Sequence, residues 1–83
     1  MRKENSVLIK INDWNTLKDF ATTVSKIEND VNIYHSSGYY DAKSILAVIA
    51  LSLDKPRYVE IISSDENEIN LFKEQMKIFA VEV

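Results

Sequence analysis

The sequence predicts an α+β domain, an open-faced β-sandwich in which a four-stranded antiparallel sheet carries three helices on one face. Three observations lead there. The strand-like segments alternate apolar and polar residues, so each offers one face for burial. Two longer segments repeat apolar residues at three- and four-residue spacing, as helices with one apolar stripe do. The elements run in the order β-α-β-β-α-β-α, and no linker, repeat or low-complexity stretch divides residues 1–83 into more than one domain.

Each element has its own justification. Ser6-Val7-Leu8-Ile9-Lys10-Ile11 alternates as a strand, with Val7, Ile9 and Ile11 facing one way. Asn12-Asp13 breaks the pattern. Asp13 is suited to capping the helix that follows, because its carboxylate can accept from an otherwise unpaired backbone N–H and favours the positive helix end. Trp14, Leu17, Phe20, Ala21, Val24 and Ile27 then form an apolar stripe, with Lys18, Asp19, Thr22, Thr23, Lys26 and Glu28 on the opposite face. Asp30–His35 is a second strand with Val31 and Ile33 inward. Ser36-Ser37-Gly38 is a hairpin turn that uses the chain's one glycine for a positive φ, and Tyr39–Ala42 returns. A short helix is expected from Ser44 to about Ser52, ended by Asp54-Lys55-Pro56. Arg57–Ile62 is the fourth strand. Asp65-Glu66-Asn67-Glu68 reads as a capping box, with Asp65 capping and Glu68 reaching back. Ile69, Phe72, Met76 and Phe79 give the last helix its stripe.

Composition narrows the function classes. A chain of 83 residues lies near the lower end of what folds without staples, and it has no cysteine to supply a disulfide or a thiolate metal site. Packing must hold it together, and 46% hydrophobic residues can build a core. The absence of cysteine suits a cytoplasmic protein. Met1–Ser6 is polar, with no signal-peptide apolar region, and no run approaches the ~20 apolar residues of a membrane span. A formal net charge of −3 argues against a nucleic-acid binder. Tyr34, Tyr39, Tyr40 and Tyr58 read as strand-face residues, since base stacking would want basic neighbours. His35, the one histidine, shares a face with Val31 and Ile33 and has no second ligand at metal spacing. No metal site and no cofactor are expected.

The central run Asp41-Ala42-Lys43-Ser44-Ile45-Leu46-Ala47-Val48-Ile49-Ala50-Leu51 is unusual. After Ser44 come seven apolar residues without a polar interruption. A short helix buried on one side only should show polar residues every second or third position. The helix is therefore either buried all round or leaves aliphatic side chains for a partner to cover. Helical geometry places Val48 and Leu51, with Ala47 or Ala50, toward the sheet, and Ile45, Leu46 and Ile49 toward the outside.

This run, with the element order and the chain length, resembles HPr, the histidine-containing phosphocarrier protein of the bacterial sugar phosphotransferase system. Lys43-Ser44-Ile45-Leu46 and Val48 fit the family's Lys-Ser-Ile-Met/Leu-Gly-Val run, and Ala47 stands where a glycine is common. The match extends to Val24-Ser25-Lys26 and Asp30-Val31 and spans roughly residues 6 to 80. The family's Gly-Ile-His-Ala-Arg-Pro-like motif is absent. Aligned without gaps, this chain offers Ile11-Asn12-Asp13-Trp14-Asn15-Thr16, with Asp13 in the place of the phosphoryl-accepting histidine and Asn15 in that of the arginine. No histidine precedes His35.

The resemblance implies a divergent HPr-like chain that does not carry phosphate on histidine and acts as a regulatory or protein-docking module rather than as a catalyst. Two alternatives stand beside it: a phosphocarrier with a non-standard acceptor at Asp13, and an unrelated small α+β ligand-binding domain. For Asp13 itself, helix capping is the expected role, ahead of phosphoryl acceptance or imitation of a phosphoryl group. Ser44 matches a serine that is phosphorylated by a dedicated kinase in HPr of low-GC Gram-positive bacteria, although a serine caps a helix well unmodified. The resemblance places a partner surface at Trp14, Thr16, Ile45, Leu46 and Ile49. For Trp14 the expected position is in the core, given the burial energy of an aromatic, and the alternative is over the former active site. The partners implied are a protein of the phosphotransferase system or a transcription regulator. A monomer is expected, with weak dimerisation through the apolar run as the variant.

Overall fold

A computed structural model of the chain describes residues 1–36, 38–50 and 55–81, with the backbone alone for Ile45 and Ala50. A 3-10 turn over Lys3–Asn5 leads into β1 (Ser6–Ile9), followed by α1 (Trp14–Ser25), β2 (Val31–His35), β3 (Gly38–Asp41), α2 (Ile45–Ala50), β4 (Arg57–Ile61) and α3 (Glu66–Met76), which tightens into a 3-10 turn over Lys77–Phe79. The expected ends of the short helix at Leu51, Ser52 and Asp54 lie outside the described residues.

The strands form one antiparallel sheet in the order β1-β4-β2-β3. The expected α+β open-faced sandwich is what the chain adopts. Register follows from the alternation, because a slip of one residue would turn every apolar side chain outward. Val59 sits between Val7 and Ile33, and Ile61 pairs with Val31, so the aliphatic residues of three strands share one face. Against that face pack Phe20 and Val24 of α1, Val48 of α2, and Phe72 and Met76 of α3. Phe20 meets Phe79 edge to face at a centroid distance of 5.4 Å, which ties the end of α3 to α1.

Three details depart from the sequence reading. The first strand stops at Ile9, because the Lys10 N–H donates to the Phe79 carbonyl (3.0 Å) and the chain bends along the C-terminal segment. Val81 N–H donates to the Leu8 carbonyl (2.9 Å), and Ala80 bridges Ile9, so the outer edge of β1 is covered by residues 79–81. The second strand of the hairpin begins at Gly38, whose φ of +146° a side chain would adopt only under strain. The third departure is at Glu68. Asp65 caps as expected, accepting from the N–H groups of Asn67 (2.8 Å) and Glu68 (3.3 Å). Glu68, however, reaches Asp65 only through Ser63, whose hydroxyl accepts from the Asp65 N–H (3.0 Å) and donates to the Glu68 carboxylate (2.6 Å). Serine two residues before the cap fills the place the glutamate would have taken.

Candidate functional site

The start of α1 follows directly from its capping. Asp13 is extended and its Oδ1 accepts from the Thr16 N–H (2.8 Å), while Oδ2 accepts from the Thr16 hydroxyl (2.9 Å). Both carboxylate oxygens are thus engaged by one residue of the first turn. The Thr16 N–H, then its hydroxyl, hold the Asp13 carboxyl below its usual range. A lowered pKa keeps the cap ionised, and its contribution to folding is lost only as pH falls through the folded value. Asn15, on the same turn, is exposed.

Trp14 corrects the expectation of core packing. It is 59% exposed, although it begins the very stripe that buries Phe20 and Val24. Its place as the first helical residue explains this. The stripe meets the sheet one to three turns further along, where Phe20 and Val24 lie.

In α2 the helical geometry sorts the apolar run as expected where side chains are described. Val48 is 1% exposed and joins the core, while Leu46 is 78% exposed and Ile49 is also in solvent. The side chain of Ile45 lies outside the described residues. Ser44 immediately precedes α2, and its carbonyl accepts from the Val48 N–H (3.0 Å), the first hydrogen bond of the helix. The loop before it is fixed by Asp41, whose side chain accepts from the Lys43 N–H (2.9 Å) and whose carbonyl accepts from the Ser44 N–H (3.1 Å). Large apolar side chains thus stand exposed at Trp14 in α1 and at Leu46 and Ile49 in α2, and Thr16 is half-buried.

His35 ends β2, with its ring against Tyr40 at a centroid distance of 6.4 Å. Among the described residues, no group of three His, Cys, Asp or Glu side chains could hold a metal ion.

One cluster escaped sequence reading. Glu60 is only 3% exposed although alternation places it on the side away from the helices. Its carboxylate accepts from the Tyr34 hydroxyl and from the backbone N–H of Arg2 (2.7 Å). The hydrogen bond to Glu60, with burial and the carboxylate's charge behind it, pushes the Tyr34 phenol up to about 12. Beside this cluster the buried Asn5 amide donates to the carbonyls of Ile61 (3.0 Å) and Ser63 (2.8 Å), binding the N-terminal turn to β4. No local motif signals it, since the partners of Glu60 and Asn5 all lie far from them in sequence.

The fold is that of a small α+β domain, a four-stranded open-faced sandwich with exposed aliphatics on its short second helix. A family model described as PTS HPr component phosphorylation site matches residues 17–80, and the chain belongs to that HPr family. The matched stretch begins after Asp13 and Asn15. Membership removes the reading of the chain as an unrelated ligand-binding domain. HPr proteins are phosphocarriers rather than catalysts, and they work by contact with other phosphotransferase-system proteins. No curated protein matches the chain. Among the described residues, no helix is long and apolar enough to cross a membrane.

Proposed function

We propose that this HPr-family protein is a regulatory docking module of the phosphotransferase system that does not relay phosphate through histidine. The observation that carries the reading is the start of α1. Asp13 stands where the resemblance puts the phosphoryl acceptor, and Thr16 occupies both of its oxygens. A histidine accepts phosphate through a ring nitrogen that must be free to attack. Here the corresponding side chain is spent on the helix end, and Asn15 offers no cation for the charge of a phosphoryl group.

What remains is a surface. Trp14, Leu46 and Ile49 are exposed, and together with Thr16 and Ile45 they form the patch through which a protein of the system, or a transcription regulator, docks in the cytoplasm. Ser44 serves as the start of α2 rather than as a site of modification. The protein acts as a monomer and needs no cofactor.

Incubation with the upstream phosphotransferase enzyme and labelled phosphoenolpyruvate tests the first half of this reading. The protein is expected to stay unlabelled, and stable label on Asp13 or His35 would falsify it. Binding to phosphotransferase-system proteins tests the second half. Leu46→Asp and Ile49→Asp should remove binding while the circular dichroism spectrum stays that of the parent. Retained binding, or collapse of the fold, would reject the surface.

A further inference from the structure

The face of the sheet turned away from the helices carries a row of aromatic rings. Leu8 pairs with Tyr58, and Tyr34 pairs with Tyr39; one step beyond the Ile33–Val59 pair, Tyr34 falls opposite Tyr58. Leu8, Tyr58, Tyr34 and Tyr39 therefore cross all four strands in one line. Tyr39 is 64% exposed, Tyr58 is exposed, and the Tyr34 and Tyr39 rings stand 5.8 Å apart. In the adjacent line lie Ser6, Glu60, Asn32 and Asp41.

The charge beside these rings selects their partner. Glu60 is buried, and the two hydrogen bonds to its carboxylate come from neutral donors, a phenol and a backbone N–H. Neither donor cancels a full negative charge, and low local dielectric strengthens its field. A phenol that donates to a carboxylate is itself polarised, so its ring becomes more electron-rich. Asp41 adds an exposed carboxylate at the β3 end of the face. The nearby Lys43 ammonium is turned elsewhere, toward the Glu28 carbonyl (3.4 Å). Of the cations near this side, Lys10 stands exposed beyond Leu8 at the opposite corner, and the Arg2 guanidinium, on the segment that donates to Glu60, is paired with Glu4 (3.1 Å). From Tyr58 to Tyr39 the face thus combines exposed π surfaces with negative potential, which is the complement of a guanidinium or ammonium group.

We propose that the open face of the sheet is a second docking surface, which takes an arginine- or lysine-bearing segment of a protein partner. Its cations stack on Tyr39, Tyr34 and Tyr58, and one pairs with Asp41. The surface lies on the other side of the sheet from α2 and does not depend on the docking function proposed for Leu46 and Ile49.

The test is a titration of the isotope-labelled protein with an acetylated peptide of alternating arginine and glycine, followed by amide chemical shifts. The expected result is saturable shifts at Leu8, Tyr34, Tyr39, Asp41 and Tyr58, weakened by salt. Tyr39→Ala and Tyr58→Ala should each reduce affinity about two- to five-fold, and Tyr39→Phe should not, since the ring and not the hydroxyl binds. Asp41→Asn should weaken binding as well. Unchanged amide spectra elsewhere will show that the variants are folded. The proposal is overturned by an absence of saturable shifts, by an equal response to the matching glutamate–glycine peptide, or by shifts centred on Trp14 and Leu46. A stronger response to a neutral oligosaccharide or an oligonucleotide overturns it too, as do shifts of the same residues on concentration without peptide, which mean self-association.

Discussion

The two faces of the sheet are stabilised by different physics. On the helix side Ile9, Val31, Ile33, Val59 and Ile61 are almost wholly buried, and what they share is apolar area removed from water. On the open side burial is confined to Glu60, and it rests on directed hydrogen bonds from Tyr34 and from the N-terminal segment. The first face tolerates no loss of volume but is indifferent to pH. The second has volume to spare and is sensitive to any change of protonation. A small domain that covers one side of a sheet only can thus keep the other side chemically specific.

The largest effect that would expose this difference is at the centre of the covered side. Phe20→Ala removes a ring that is fully buried between the sheet and Phe79, and it leaves a cavity that rigid neighbours fill only in part. A loss of roughly 3–5 kcal/mol is expected, read as a fall in the urea midpoint at unchanged slope. A loss under about 1 kcal/mol would mean that the helix layer repacks, and the contrast between the faces would weaken.

How far the sequence disclosed this arrangement depends on the range of the interactions. Phe20, Val24, Phe72 and Met76 were legible because helical period alone assigns them to one side, and Asp13 and Asp65 because a cap acts within three residues. Trp14 was misread because period assigns a side but not the point at which the sheet comes within reach. Glu60 was invisible for a stronger reason. Its partners lie 26 and 58 residues away along the chain, and only strand register brings them together. Likewise the Ser63 hydroxyl took over the bond expected from Glu68, a choice between two local donors and acceptors that the pattern alone leaves open. Tyr58, Tyr34 and Tyr39 could be named as strand-face residues, but their alignment across strands needed the register.

The middle-sized effect belongs to the open side. Tyr34 is held at about 12, above the ordinary tyrosine value of about 10. A raised pKa means that the folded state keeps a proton which the unfolded chain releases. Its contribution is complete below about pH 10 and is lost as pH rises toward 12, by up to about 2 kcal/mol. Denaturant unfolding across that window should show the fall. Tyrosinate absorbance should show Tyr34 ionising above the ordinary tyrosine value. In Glu60→Gln the hydrogen-bond acceptor is no longer charged, so Tyr34 should titrate earlier and the stability loss should shift to lower pH. Identical titrations of parent and variant would show that Glu60 does not govern the phenol.

The smallest effect sharpens the comparison most, because it concerns an aromatic ring that shares its helix with Phe20. Trp14→Ala deletes more apolar surface than Phe20→Ala, but that surface is already in water at the rim of the covered side. The folded state has little burial to lose there, and exposed substitutions of this kind fall within about ±0.5 kcal/mol. The Asp13 cap is untouched, since its acceptors bind Thr16 and not the indole. Stability should therefore be nearly that of the parent, while indole fluorescence of the parent should show a solvent-exposed, readily quenched tryptophan. A stability loss approaching that of Phe20→Ala would place Trp14 in the core after all and remove it from the docking patch. Near-neutral stability with lost partner binding would instead assign the ring to recognition, and would make α1 a helix whose first residue serves the surface and whose next two turns serve the fold.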